Sequence, residues 1–335
     1  MEKVKVGVIG AGRIGKLHTE NLVKFVPQAK VVAVADVFAD KIKEWAEDLG
    51  IEKVYSDYHD ILADKEIDAV IICSPTNTHS KITVEAANAG KHIFCEKPID
   101  YDLSKIDEAL TAVRKAGVKF QVGFNRRFDH NFRAVRQAVA SGKIGDVNIV
   151  KITSRDPNPP SIDYVKVSGG LFLDMAIHDF DMARYLSGSE VEEVYASGAV
   201  LVDKAIGEAG DIDTAIVTLK FSNGALGVID NSRKAAYGYD QRVEVFGSKG
   251  CVTVKNDTDD STEISTEESV TTLKPKYFFL ERYKDSFIDE MNCFFDSVVN
   301  GAEIKVGAAD GLNAVKVALA AKKSLEMGRP VKIEY

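Results

Sequence analysis

The run Gly10-Ala11-Gly12-Arg13-Ile14-Gly15 constrains the fold of this chain more than any other. It stands between an apolar, β-branched run, Val4 to Ile9, and a stretch from Arg13 to Phe25 that reads as a helix. A G-x-G-x-x-G pattern is weak alone, but between a strand and the opening of a helix it has the context its chemistry requires. Gly10 permits the tight turn, Gly12 lets the backbone approach a pyrophosphate, and Gly15 lets the helix pack close to the strand. The unpaired N–H groups of the first helical turn, at Arg13 and Ile14, then suit an anion. Asp36 closes the next apolar run, Val31 to Ala35, about twenty residues beyond the last glycine, where an acid that binds both ribose hydroxyls belongs. Its carboxylate repels a 2′-phosphate, and Val37 and Phe38 bring no arginine to neutralise one. NAD rather than NADP is the expected cofactor.

The alternation continues along the first third. Ala39 to Leu49 reads as a helix, Ala69 to Cys73 as a strand, the segment up to Ala89 as a helix and His92 to Cys95 as a strand. Leu103 to Ala116 is helical and Lys119 to Val122 returns to strand. Apolar strands separated by helices of about ten to fifteen residues mean βαβ units and a doubly wound parallel sheet, the Rossmann arrangement of an α/β fold. After Gly123 the pattern changes. Val147 to Ser154 reads as a strand and Leu171 to Leu186 as a helix. Short alternating runs follow: Thr214 to Phe221, Leu226 to Asn231, Gln241 to Phe246 and Cys251 to Lys255. Asn223-Gly224 between two of them is a hairpin signal. Helical stretches from Leu280 to Val299 and Ala308 to Met327 close the chain. The expected division is a cofactor-binding domain over residues 1–122 and an α+β domain with a mostly antiparallel sheet over 123–335, the last helix packing back near the first domain.

At 335 residues, two domains are expected on size alone. A net charge of −8 argues against a general nucleic-acid or anionic-membrane binder. No apolar run reaches the roughly eighteen residues of a membrane span. Met1 to Lys5 runs straight into a strand without a secretion leader, so a cytoplasmic protein is expected. Cys73, Cys95, Cys251 and Cys293 are far apart and read as reduced, mostly buried thiols; without short Cys/His spacing no metal site is expected.

Three further stretches carry candidate chemistry. Ser74-Pro75-Thr76-Asn77-Thr78-His79 follows the third strand, where a doubly wound sheet places its ligands, so Ser74, Pro75, Asn77 and His79 are candidates to line the cofactor. The bland alternative is a turn whose Asn77 or Thr78 caps the next helix. Glu96-Lys97-Pro98 follows the next strand, which points Lys97 at the cleft, where it can stabilise a developing alkoxide. Otherwise it is a surface lysine paired with Glu96. In the run Gly169 to Asp181, Asp174 and His178 stand four apart and Asp181 three further, all on one side of a helix. A histidine beside a carboxylate can take the hydroxyl proton as a hydride departs; the bland alternative is a helix that binds nothing, its Asp and His capping or pairing on the surface.

Taken together, the fingerprint, Glu96-Lys97-Pro98, Gly123-Phe124-Asn125-Arg126-Arg127-Phe128 and the Asp174/His178 helix resemble the Gfo/Idh/MocA oxidoreductases over essentially the whole chain. Within that family, Ser154-Arg155-Asp156-Pro157 and the run Ser168 to Asp179 look most like the inositol 2-dehydrogenases. The resemblance implies a Rossmann domain followed by a domain whose open sheet serves in assembly of a homotetramer. It implies Lys97, Asp174 and His178 as the catalytic group and a small-molecule polyol as substrate. It sets Glu96 and Lys97 beside the cofactor, Arg127 near both substrate and nicotinamide, and Asp181 and Tyr237 at polyol-binding positions. Arg155, also counted among the substrate contacts, stands where another inositol dehydrogenase subgroup carries His, which bears on stereoisomer choice. The implied reaction is NAD-dependent oxidation of a ring hydroxyl, with myo-inositol giving 2-keto-myo-inositol. The rivals are a sugar dehydrogenase on the same scaffold, a non-catalytic NAD-binding regulator, against which Lys97 and His178 weigh, and an enzyme that recycles tightly held NADP, against which Asp36 weighs.

Overall fold

Strands of four to seven residues made of Val, Ile, Ala and Phe are buried on both faces in the first part of the chain, as a parallel sheet covered by helices requires. In the computed structural model, which describes residues 3–335, they are β1 (Val4–Ile9), β2 (Ala29–Ala35), β4 (Ala69–Ile72), β5 (His92–Glu96) and β6 (Phe120–Gly123), joined by the short edge strand β3 (Lys53–Tyr55). All pair in parallel in the order β3-β2-β1-β4-β5-β6. The chain order reverses between β1 and β4, which opens a crevice beyond their carboxyl ends. Sequence patterning does not disclose β3: it is three half-buried residues at the sheet edge.

The chain divides into two compact units. One comprises the residues through Phe128 together with Asp285–Asn313; the other comprises Asp129–Lys284 and Ala314–Tyr335. The late segment completes the core of the first unit. Met291, Phe294 and Phe295, at i, i+3 and i+4 of the helix Lys284–Asn300, are fully buried in one cluster with Val6, Val8, Ile71 and Phe94. Burying one such side chain stabilises by about 1.5–3 kcal/mol.

The second unit is built on a mixed sheet. Its strands are β7 (Val147–Arg155), β8 (Val191–Ala199), β9 (Thr214–Phe221), β10 (Leu226–Ser232), β11 (Asp240–Gly247), β12 (Gly250–Val254) and, after the small hairpin β13 (Glu263–Ser265) and β14 (Val270–Thr272), β15 (Val331–Lys332). The order is β12-β11-β7-β10-β9-β8-β15. Only β7 and β10 run parallel, with Arg155 opposite Ser232; the other pairs are antiparallel. The Asn223-Gly224 turn joins β9 to β10, with Gly224 at φ +88°. Strand β9 alternates buried and exposed residues, so one face of the sheet packs inward and the other is open. On that open face Phe246, Ile149 and Leu226 lie in register across β11, β7 and β10, each about half exposed.

Two helices read as continuous are broken. The stretch Leu171 to Leu186 forms Gly170–Asp174 and Ile177–Ser187. At the break Ala176 N–H donates to Leu171 O, five residues back, while His178 N–H donates to Met175 O, three back. Asp174 and His178 therefore do not share one uninterrupted helical face, as their spacing suggested. Leu280 to Val299 likewise divides into Phe279–Arg282 and Lys284–Asn300. All four cysteines are free; Cys95 is buried and Cys251 exposed. No helix among the described residues is long and apolar enough to cross a membrane.

Candidate active site

In the first unit the glycine turn sits at the β1–β4 crevice. Gly10 adopts φ +93°, and a Cβ there would lie 2.6 Å from Ser74 N and 2.7 Å from the Cys73 carbonyl carbon. A Cβ on Gly15 would lie 1.9 Å from Gly10 O, so only glycine allows the helix Arg13–Phe25 to approach this closely. A Cβ on Gly12, by contrast, would meet nothing within 4 Å; that side of the turn is open. The helix begins without a side-chain cap and without an acid in its first turn, which leaves the N–H groups near Arg13 and Ile14 for a ligand. This cradle fits the pyrophosphate of a dinucleotide. Asp36 braces it: Oδ2 accepts from Ala11 N–H at 2.8 Å, and Oδ1 accepts from Phe38 N–H at 2.9 Å. A carboxylate oxygen has more than one acceptor position, so both remain able to take a ribose hydroxyl.

The loop after β4 is internally fixed. Thr76–Thr78 form a short 3-10 turn, and the Ser74 and Thr78 hydroxyls lie 2.6 Å apart. Pro75 O accepts from Thr78 Oγ1 at 2.7 Å, while Asn77 beside it is exposed. His79 is buried, its ring nitrogens 2.8 Å from Ser74 O and 2.8 Å from Pro98 O. Burial pushes its pKa below the usual imidazole value. Its contribution to a cofactor site is thus to tie the Ser74 loop to the Glu96-Lys97-Pro98 turn. The Lys97–Pro98 peptide is cis, and Lys97 N–H donates to Glu96 Oε2 at 3.3 Å. Arg127 lies on the short turn Asn125–Phe128, where its Nη2 donates to Asp310 Oδ1 at 2.7 Å.

In the second unit two clusters share one end of the sheet, the carboxyl ends of β7 and β10. Asp174 accepts from the Tyr164 hydroxyl at 2.8 Å and from Arg233 Nη1 at 2.9 Å. Arg233 is only 3 % exposed and also lies 3.7 Å from Asp156. Burial works against its charge, but Asp174 and Asp156 outweigh this and raise its pKa. His178 is half-buried in the first turn of Ile177–Ser187. The same helix is pinned to β10 where Asn231 Nδ2 donates to Asp179 Oδ2 at 2.8 Å.

The second cluster joins Arg155 and Tyr237, which the sequence names separately. Arg155 Nε donates to Asp230 Oδ1 at 2.6 Å and its Nη1 to the Tyr237 hydroxyl at 3.1 Å. That hydroxyl donates to Asp240, whose other oxygen accepts from Asn256 Nδ2 at 2.7 Å. Burial and the Asp240 hydrogen bond raise the Tyr237 pKa, so the phenol keeps its proton. Asp181 is buried, its Oδ1 3.7 Å from Arg184 Nη1, while Arg184 forks onto Glu190 at 2.6 and 2.7 Å. The sequence reading missed Tyr164, Arg233, Asp230, Asp240 and Asp310. The one available signal for Arg233 is its place directly after a strand that ends at the same edge as Arg155.

Residues 4–124 match the oxidoreductase family with an NAD-binding Rossmann fold, and residues 132–253 match the GFO/IDH/MocA C-terminal domain. The chain is a Gfo/Idh/MocA oxidoreductase. Among relatives in this family, the myo-inositol 2-dehydrogenase of Thermotoga maritima is 51% identical, over 99% of this chain and 99% of the relative. The crystal structure of a myo-inositol dehydrogenase from Corynebacterium glutamicum superposes with a TM-score of 0.94 at 37% identity, covering 100% of both chains. A scyllo-inositol dehydrogenase from Lactobacillus casei, solved with bound NAD(H) and scyllo-inositol, gives 0.92 at 33% identity over 99% of each chain.

Proposed function

We propose that the chain is an NAD-dependent inositol 2-dehydrogenase that oxidises one secondary hydroxyl of a cyclic polyol, myo-inositol foremost, to the ketone. The full-length similarity to inositol dehydrogenases carries the reading, because it spans both the dinucleotide-binding and the polyol-binding parts of the chain. When bound, NAD supplies the hydride acceptor. The glycine turn and the open helix N-terminus hold its pyrophosphate, and Asp36 holds its ribose and disfavours a 2′-phosphate. His178 takes the proton of the reacting hydroxyl. Lys97 donates to the same oxygen and stabilises the negative charge that develops there. Asp174 orients His178 and stabilises the imidazolium; Arg233 and Tyr164 hold Asp174 in place. Arg155, Tyr237 and Asp181 are assigned to the remaining hydroxyls, and Arg127 to the substrate and nicotinamide.

The same reading makes the protein a cytoplasmic homotetramer assembled through the second sheet. The apolar row Phe246–Ile149–Leu226 on the open face supports that surface. NADH formation with myo-inositol, scyllo-inositol, chiro-inositol and glucose tests the substrate. Lys97→Ala and His178→Ala should each lower kcat by about 10²–10⁴-fold and leave NAD binding nearly intact. Turnover of glucose alone, or near-normal kcat in both variants, refutes the assignment.

A further inference from the structure

We propose that His18, Glu96 and Glu290 form a buried, proton-holding positioning cluster that fastens the turn bearing Lys97 to the dinucleotide-binding helix. The proposal rests on the role given to Lys97 above. The three residues are remote in sequence. His18 lies in the helix that the glycine turn opens, Glu96 ends β5 and Glu290 lies in Lys284–Asn300. His18 Nε2 is 2.8 Å from Glu96 Oε1 and 3.9 Å from Glu290 Oε1. The other oxygen of Glu96 accepts from Lys97 N–H at 3.3 Å. The rings of Phe94 and Phe287 stand edge-on to His18, 5.2 and 5.7 Å away; His18 and Glu290 are fully buried, and Glu96 keeps 13 % of its side chain exposed.

Glu290 decides what the cluster can be. Its side chain is 0 % exposed, and among the described residues neither carboxylate oxygen has a hydrogen-bond partner. Its backbone carbonyl accepts from Gln121 Nε2 at 2.9 Å, which fixes the residue in place. The ionisable groups facing it are Glu96 from β5, His18 from the first helix and Cys73 after β4. A dry carboxylate beside a second carboxylate is heavily penalised unless it binds a proton or a cation. Burial and the nearby Glu96 charge push the Glu290 carboxyl well above the usual carboxylate range, and burial pushes the Cys73 thiol up, so the thiol stays neutral. With the proton on Glu290, the single charge of Glu96 is shared between His18 Nε2 and the Lys97 N–H. Without it, Glu96 is repelled from a contact that sets the main chain at Lys97. A small misplacement of a group that must meet the reacting oxygen lowers turnover rather than cofactor binding.

The test compares Glu290→Gln, an uncharged copy of the protonated acid, with Glu290→Ala, using Lys97→Ala as reference. Readouts are kcat and KM for myo-inositol, Kd for NAD, the pH dependence of Tm in the absence of substrate, and metal content. Glu290→Ala is expected to lose kcat by about tenfold or more with Kd for NAD within about twofold, and Glu290→Gln to recover most of that loss. A carboxyl with its folded pKa above the unfolded value of about 4.3 stabilises fully below that pH, and the gain is lost as pH rises to the folded pKa. Glu290→Gln should therefore flatten the fall of Tm with rising pH, and Lys97→Ala should keep the wild-type slope while losing turnover. The pH arm reads the cluster even if Lys97 is not catalytic or Glu290→Ala does not fold. An unchanged slope in Glu290→Gln, equal loss of kcat in both Glu290 variants, or one equivalent of metal whose removal lowers Tm would each overturn the proposal.

Discussion

Arg233→Met removes the guanidinium that holds Asp174 and leaves an apolar stem of similar length in the same space. Arg233 is 3 % exposed, and its Nη1 is 2.9 Å from Asp174 and 3.7 Å from Asp156. Breaking a buried ion pair from one side costs about 3–5 kcal/mol, because the remaining charge stays desolvated and unpaired. Asp174 retains the Tyr164 hydroxyl and is only half-buried, which sets the expectation at the lower end, about 3 kcal/mol. In a unit of this size that lowers Tm by roughly 6–12 °C. Thermal unfolding by circular dichroism reads the shift, and a parallel assay reads kcat, which should fall as Asp174 loses its fixed orientation. The double variant Arg233→Met/Asp174→Asn removes both charges and should recover part of the stability without recovering turnover. A Tm within about 2 °C of wild type for the single variant would show that the pair carries no stability and refute the argument.

Two other outcomes follow from the cofactor side. Asp36→Ser removes the charge that repels a 2′-phosphate, so kcat/KM with NADP should rise relative to NAD by about tenfold or more; an unchanged ratio in initial-rate assays would take Asp36 out of cofactor selection. Burial lowers the His79 pKa, so this residue stabilises fully above its unfolded value of about 6.5, and that contribution is lost as pH falls from there through the folded pKa. His79→Gln should flatten the acid side of the Tm–pH curve; a curve parallel to wild type would remove His79 from the acid response.

The features legible in the sequence are those set by local rules. Val4–Ile9 and the glycine turn are readable because strand burial and glycine geometry act within a few residues. The parallel β7–β10 pair is not, since Val147–Arg155 and Leu226–Ser232 look the same to periodicity whichever way they run. The break between Asp174 and His178 is likewise hidden: Met175 and Ala176 are good helix formers, and nothing in their propensity marks the point where Ala176 bonds to Leu171. The partners of the candidate residues are the least readable. Asp310 stands far from Arg127, and Arg233 far from Asp174, and a single sequence carries no signal for pairs at such separation.

The core of the Rossmann unit has a consequence for synthesis. Phe294 and Phe295 belong to the same cluster as Val6 and Val8, yet the whole of Asp129–Lys284 is translated between them. On the ribosome the first six strands therefore emerge with an apolar flank that their own residues do not cover, and that flank stays open until the late helix arrives. A nascent chain in this condition is a natural client for chaperones. An excised N-terminal segment that stops at Phe128 lacks the helix altogether, so a soluble cofactor-binding fragment has to carry Asp285–Asn313 along with it.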